Sequence, residues 1–220
     1  MEWPLLAALA DDERNAVLSA ARKRSYGKGE IVFHEGDRSD SLHLIVSGHL
    51  AVRVSTPDGE RATLNVLGPG GWFGELSLLR DQVVTPRAAT VQALDKSQTL
   101  ILTHAAFHTL CERHPSIERF VAVLMADQIR SLNTHLLRAM YVGLDRRLFH
   151  CLLELCEVYG TPDERTVIPL PQEQLAEMVG GTRPSVNQVL QRLVAEGIVE
   201  LGRGRVTVVD PARLESLAGL

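Results

Sequence analysis

Two stretches of this 220-residue chain hold chemically capable side chains at suggestive spacings. In the first, Phe73-Gly74-Glu75-Leu76-Ser77-Leu78-Leu79 precedes Thr85-Pro86-Arg87-Ala88-Ala89-Thr90. Gly74 permits close backbone approach. Residues 76–79 can form a helical turn whose N–H groups face an anion. Arg87 offers a planar fork suited to a phosphate, and Glu75 an acceptor suited to a sugar hydroxyl. An Arg and a Glu inside a barrel also satisfy each other as a salt bridge. The residues alone leave both readings open.

In the second stretch, Ala176, Gly180 and Val186 stand at offsets of 4 and 6. A helix–turn–helix needs a small residue where its helices cross, a glycine in the turn and an apolar residue that buries the second helix. Leu175, Val179, Val189 and Leu193 complete the core between them. Thr182 can cap the second helix, and Pro184 fits its first turn, where a missing N–H costs little. The exposed N-terminal face then carries Arg183, Ser185, Asn187 and Gln188. Arg can grip guanine O6 and N7, and Asn or Gln can pair with adenine N6 and N7. Arg203 and Arg205 follow in a glycine turn, as phosphate contacts or as a solvated tip.

The elements that must position these residues change character along the chain. Residues 23–102 alternate with a period of two. Leu42, Leu44 and Val46 face one way, as do Leu50, Val52 and Val54. Turn signals every 8–12 residues suggest an all-β barrel or sandwich. A short helix over 11–21 precedes it. From His104 the period becomes helical, with one helix stopped by Pro115 and a longer one over 116–141. The apolar stripe of the long helix is Val121, Met125, Ile129, Leu132, Leu136 and Met140. Its 26 residues span roughly 39 Å. It either packs on its own β-domain or pairs with a second copy. Another apolar helix ends at Tyr159. Gln172–Val179 and Thr182–Glu196 form the helix pair, a hairpin surrounds Gly202-Arg203-Gly204, and Pro211 begins a terminal helix.

Composition excludes several classes. The net charge is −4 and every region is weakly acidic, so DNA binding must rest on local placement. Between Met178 and Ala195 there are two Arg and no acid, which makes the local field positive. No run of 18 apolar residues exists, so no membrane span is expected, nor is a signal peptide. Cys111, Cys151 and Cys156 form no CxxC and read as reduced, small hydrophobes of a cytoplasmic protein. His104 and His108 share the spacing of a metal pair but lack an evident third ligand, so no metal is expected. No nucleophile–base pair or Walker loop is present, so no enzyme is expected.

The order FGELSLL…TPRAATV resembles the phosphate-binding cassette of cyclic-nucleotide-binding domains. Glu35-Gly36-Asp37, Asp40-Ser41-Leu42 and Gly48 resemble the opening strands of the same domain. VGGTRPSVNQVLQRLVAEGIVELGRGRV resembles the winged helix of the Crp/Fnr transcription regulators. The resemblance covers residues 5 to 217 and implies an α+β fold. An N-terminal double-stranded, jelly-roll-like β-roll (1–114) would lead through a long dimerisation helix (115–142) to a winged helix-turn-helix domain (143–220). It implies a homodimeric, sequence-specific DNA-binding regulator controlled by cAMP, with RNA polymerase as a further partner.

By this resemblance Gly74 and Glu75 hold the ribose hydroxyl. Arg87 pairs with the cyclic phosphate, assisted by Leu76, Ser77 and the backbone of Ala88. Asn133, with Thr134 beside it, falls where the family contacts the purine. Thr182, Arg183, Ser185, Asn187, Gln188, Arg203 and Arg205 face DNA. Three features depart from the family. Asp81-Gln82-Val83-Val84 lengthens the cassette. Ala88 replaces a common Ser or Thr, so that TPRAAT resembles the kinase regulatory subunits and fits cAMP better than cGMP. Pro184 and Gln188 replace Glu and Arg in the recognition helix. Family members that sense haem-bound gases, redox state or other metabolites, or that bind DNA without ligand, define the alternative.

Overall fold

The computed structural model describes residues 3, 6, 9–55, 59, 61–78, 86–160 and 165–219. A short helix α1 (Asp11–Ala20) precedes the strands. Strands β1 (Arg22–Tyr26), β2 (Ile31–Phe33), β3 (Ser41–Ser47) and β4 (Leu50–Ser55) follow, then β5 (Arg61–Leu67), β6 (Trp72–Phe73), β7 (Thr90–Ala93) and β8 (Ser97–Thr103). They form two four-stranded sheets, ordered β1-β8-β3-β6 and β2-β7-β4-β5. Every recorded pairing between these strands is antiparallel. The consecutive strands β7 and β8 lie in different sheets, which folds the β-meander into a roll.

Two apolar clusters hold this part. Ile45, Leu50, Phe73 and Val91 fill the space between the sheets. Leu42, Leu44 and Leu102 meet Phe107 and Leu110 of α2 (His104–Arg113) and Ile117 and Val121 of α3 (Ser116–Tyr141). The strand β3 is therefore covered on both faces, and Ser41 through Ile45 are all buried. Strict in–out alternation, expected for a sheet with one wet face, fails there for that reason. Thr103 caps α2 by accepting from the Ala106 N–H.

The helix α3 begins after Pro115 and ends before Gly143, as the punctuation of the sequence requires. Val121 is buried, but Ile129, Leu132, Leu136, Leu137 and Met140 are each more than half exposed. Its apolar stripe thus packs on the β-domain only at its start.

Helix α4 (Leu144–Tyr159), strand β9 (Thr166–Ile168), helices α5 (Gln172–Val179) and α6 (Arg183–Ala195), strands β10 (Val199–Gly202) and β11 (Arg205–Val208), and helix α7 (Pro211–Ala218) complete the chain. The strand order is β10-β11-β9, so a third strand joins the hairpin expected from sequence. Two compact units result: residues up to Val54 with Val66–Ser131, and Ser55–Asn65 with Leu132–Leu220. Among the described residues no helix is long and apolar enough to cross a membrane.

Candidate functional site

Gly74 links β6 to a short 3-10 helix, Glu75–Leu78. Its φ of +84° suits glycine. A Cβ there would stand 2.6 Å from Arg87 Nη1 and 2.6 Å from the Ser41 carbonyl oxygen. The position therefore lets the backbone close onto the arginine. Phe73, buried beside it, ties the turn to β3 through the His43–Phe73 register.

Two backbone bonds fix Arg87. Its N–H donates to Asp37 O at 2.8 Å, and its carbonyl accepts from Gly36 N at 2.9 Å. Its side chain turns into the roll and is only 5% exposed. Nη1 donates to Ser41 O and Nη2 to Ser41 Oγ, both at 2.9 Å. Asp40 Oδ1 lies 3.5 Å from Nη2. The guanidinium carbon sits 3.9 Å from the centre of the Phe33 ring, a cation–π contact. Burial lowers the Arg87 pKa, opposed by the carboxylates of Asp40, Glu75 and Asp37. Nε is buried without a hydrogen-bond partner.

This is a buried cation whose strongest neighbours are a mostly exposed carboxylate and one serine. Ser41 and the Phe33 ring hold the guanidinium in a largely dehydrated setting, and in low dielectric the pairing of such a group with an anion is strong. Glu75, half-buried, acts electrostatically on Arg87. The structure thus brings Gly74, Glu75 and Arg87 together. Leu76 and Ala88 are exposed nearby in sequence. The Ser77 side chain and the added loop Asp81-Gln82-Val83-Val84 lie outside the described residues. Asn133 and Thr134 are exposed on α3, in the other compact unit. Sequence reasoning missed Phe33 and His43 as neighbours of Arg87, because nothing in their spacing links β2 and β3 to Arg87, which only the folded topology brings near them.

The helix pair is built as its spacing demands. Gly180 caps α5 in the left-handed conformation at φ +60°, and its N–H donates to Ala176 O. Thr182 caps α6 by accepting from Ser185 N at 3.3 Å, and the two hydroxyls lie 2.8 Å apart. Val186, Val189, Leu190 and Leu193 are buried. Thr182, Arg183 and Gln188 are exposed, with Ser185 and Asn187 half-buried beside them. Ser185 is thus committed partly to the cap. Arg203 and Arg205 are exposed at the β10–β11 turn. Among the described residues, Arg183, Arg203 and Arg205 make no ion pair, whereas Arg192 and Arg213 are held by Asp145 and Glu196.

Burial pushes the Cys151 thiol up to about 12 and Cys156 to about 11, leaving both inert. His104 and His108 approach with Nε2 atoms 3.0 Å apart, but no group of three possible metal ligands exists among the described residues.

A glycine-seated buried arginine in a β-roll, followed by a long helix and a winged helix, is the arrangement of a β-roll domain joined to a helix-turn-helix domain. Residues 23–114 match the family model of the cyclic nucleotide-binding domain, and 146–217 that of the Crp-like helix-turn-helix domain. The cyclic AMP receptor protein of Thermus thermophilus is 32% identical over 98% of this chain and 96% of its own. A CRP-like cAMP-activated global transcriptional regulator of Mycobacterium tuberculosis is 28% identical over 86% and 84%. The crystal structure of the Thermus thermophilus catabolite activator protein matches at TM-score 0.57 and 31% identity, covering 98% of both chains. The chain belongs to the Crp/Fnr family of transcription regulators, which are not enzymes.

Proposed function

We propose that this protein is a homodimeric, sequence-specific transcription regulator of the cytoplasm, controlled allosterically by cAMP bound in its β-roll. The observation that carries the reading is the Arg87 seat. A buried guanidinium lies against a glycine that admits no side chain, with one N–H unpaired. A cyclic phosphodiester fits that donor set, since it brings one negative charge and several acceptor oxygens. In this reading Arg87 holds the phosphate, Gly74 and Glu75 the ribose, and Leu76, Ser77 and Ala88 the surrounding cradle. Asn133 and Thr134 meet the purine. The relatives named for cAMP support the choice of ligand, as does Ala88, which brings no hydroxyl.

The unpaired apolar stripe of α3 supports a second copy of the chain as its cover. Thr182, Arg183, Ser185, Asn187, Gln188, Arg203 and Arg205 would then reach two major grooves roughly 34 Å apart, with RNA polymerase as a further partner. Calorimetric titration with cAMP and with cGMP tests the ligand. The expected result is saturable cAMP binding at one site per chain, weaker cGMP binding, and loss of both in Arg87→Ala. Silence toward both nucleotides in the parent protein would instead assign the roll to another signal.

A further inference from the structure

Inside the roll, the partner of Arg87 is itself held by a chain of hydrogen bonds that reaches β8. Ser41 Oγ has three neighbours: Arg87 Nη2 at 2.9 Å, Asp40 Oδ1 at 2.9 Å and His43 Nε2 at 3.3 Å. It owns one proton. Arg87 can only donate, and an ionised carboxylate can only accept. The shorter, charge-assisted bond takes the Ser41 proton toward Asp40. Nε2 of His43 must then carry a hydrogen and donate to Ser41 Oγ. With the ring neutral, Nδ1 is an acceptor, and Thr99 Oγ1, 3.3 Å away and fully buried, donates to it. The hydrogen bonds therefore run in one direction: Thr99 to His43 to Ser41 to Asp40, with Arg87 donating into the serine.

His43 also touches the same site through its ring. It stacks on Phe73 at 4.7 Å with an interplanar angle of 15°, immediately before Gly74. It meets Phe33 edge-on at 5.8 Å, and the face of Phe33 carries the Arg87 guanidinium. Three contacts thus converge from one imidazole on the arginine and on the glycine turn. The neutral state is well defended. Burial holds the His43 pKa down, with Arg87 and Arg24 acting in the same direction and Asp40 against them.

We propose that His43 is the positioning residue for Arg87: as its Nε2–H tautomer it orients the Ser41 hydroxyl and so fixes the direction from which the guanidinium meets a nucleotide phosphate. This rests on the reading of Arg87 as the phosphate partner. A residue that merely filled space would be replaceable by phenylalanine at no cost to binding, because the ring contacts survive.

The experiment combines two readouts on the full chain. Long-range ¹⁵N–¹H correlation of histidine-labelled protein at pH 7 should show His43 as the Nε2–H tautomer. The Nδ1–H tautomer or an imidazolium overturns the inference. Calorimetry with cAMP then compares His43→Phe, His43→Gln and Thr99→Val with Arg87→Ala. We expect His43→Phe to weaken binding on the order of tenfold, from the loss of both imidazole hydrogen bonds, and Thr99→Val about threefold, from the loss of its bond to Nδ1. His43→Gln, whose amide can donate to Ser41, recovers part of the loss. If Arg87→Ala abolishes binding while His43→Phe and Thr99→Val bind like the parent, His43 does not position the arginine. If the parent protein binds no cAMP, the ligand reading fails separately. His43 is then judged on the ¹⁵N signals of the Arg87 guanidinium. These should show slow rotation in the parent and fast rotation in His43→Phe, and identical signals in both would overturn the inference.

Discussion

At the scale of single residues, the site is defined by what cannot be substituted. Gly74 combines a left-handed backbone with a 2.6 Å approach to the Ser41 carbonyl, which is backbone and cannot step aside. Gly74→Ala must therefore displace either the turn or Arg87. We expect a stability loss of about 1–3 kcal/mol and loss of nucleotide binding, read by urea unfolding and calorimetry. A variant with parental stability and binding would show that the turn relaxes freely. His43 makes a separate prediction about acid. Its pKa falls from 6.5 to about 3 in the folded protein, chiefly through burial. The unfolded chain therefore binds the extra proton first. The stability from the neutral folded histidine is fully present above 6.5 and is lost as pH falls toward 3. The slope from this group is up to about 1.4 kcal/mol per pH unit. Unfolding at pH 7 and pH 5 should show the parent losing about 2 kcal/mol more than His43→Phe over that interval. Equal losses would place the imidazole in solvent contact.

At the scale of elements, most boundaries were legible because punctuation residues mark them. Pro115 and Gly143 bracket α3, Gly180 and Thr182 separate α5 from α6, and Pro211 starts α7. The chemistry at each place allows few alternatives. The added strand β9 was not legible, since three residues carry too little alternation to stand out. The polar interior of the roll was hidden for another reason. Ser41 and His43 occupy the positions of β3 that alternation assigns to solvent, yet a second layer covers that face. The motif showed Arg87 and Gly74, but the neighbours that hold Arg87 come from β2 and β3, which only the folded topology brings near. The apolar stripe of α3 was legible from its steps of three and four. The structure adds that Ile129, Leu132, Leu136 and Met140 are exposed in the single chain. Covering them by a twin helix predicts that Leu136→Glu yields a monomer of 24.2 kDa by light scattering. The variant should keep its folded far-ultraviolet spectrum. A dimer that survives this charge would require a different interface.

At the scale of the whole molecule, charge is the informative quantity. The chain carries −4, so long-range electrostatics oppose its approach to DNA. On the winged helix, attraction must come from arginines that make no ion pair among the described residues, Arg183 on α6 and Arg203 and Arg205 at the hairpin. Such a surface gives a characteristic salt response. Each phosphate contact contributes about −0.9 to the slope of log K against log salt. In a dimer, removing Arg203 and Arg205 together should flatten that slope by up to about 3.6 if all four copies touch phosphate. Affinity should fall nearly uniformly across DNA sequences. Arg183→Ala, placed to meet a base edge, should instead cost about 1–3 kcal/mol on the preferred sequence and little on others. Anisotropy titrations over a salt series separate the two. An unchanged slope in Arg203→Ala/Arg205→Ala would make the hairpin a solvated tip. An equal loss on all sequences in Arg183→Ala would make that residue a phosphate contact as well, and sequence reading would then fall to Asn187 and Gln188 on the same helix face.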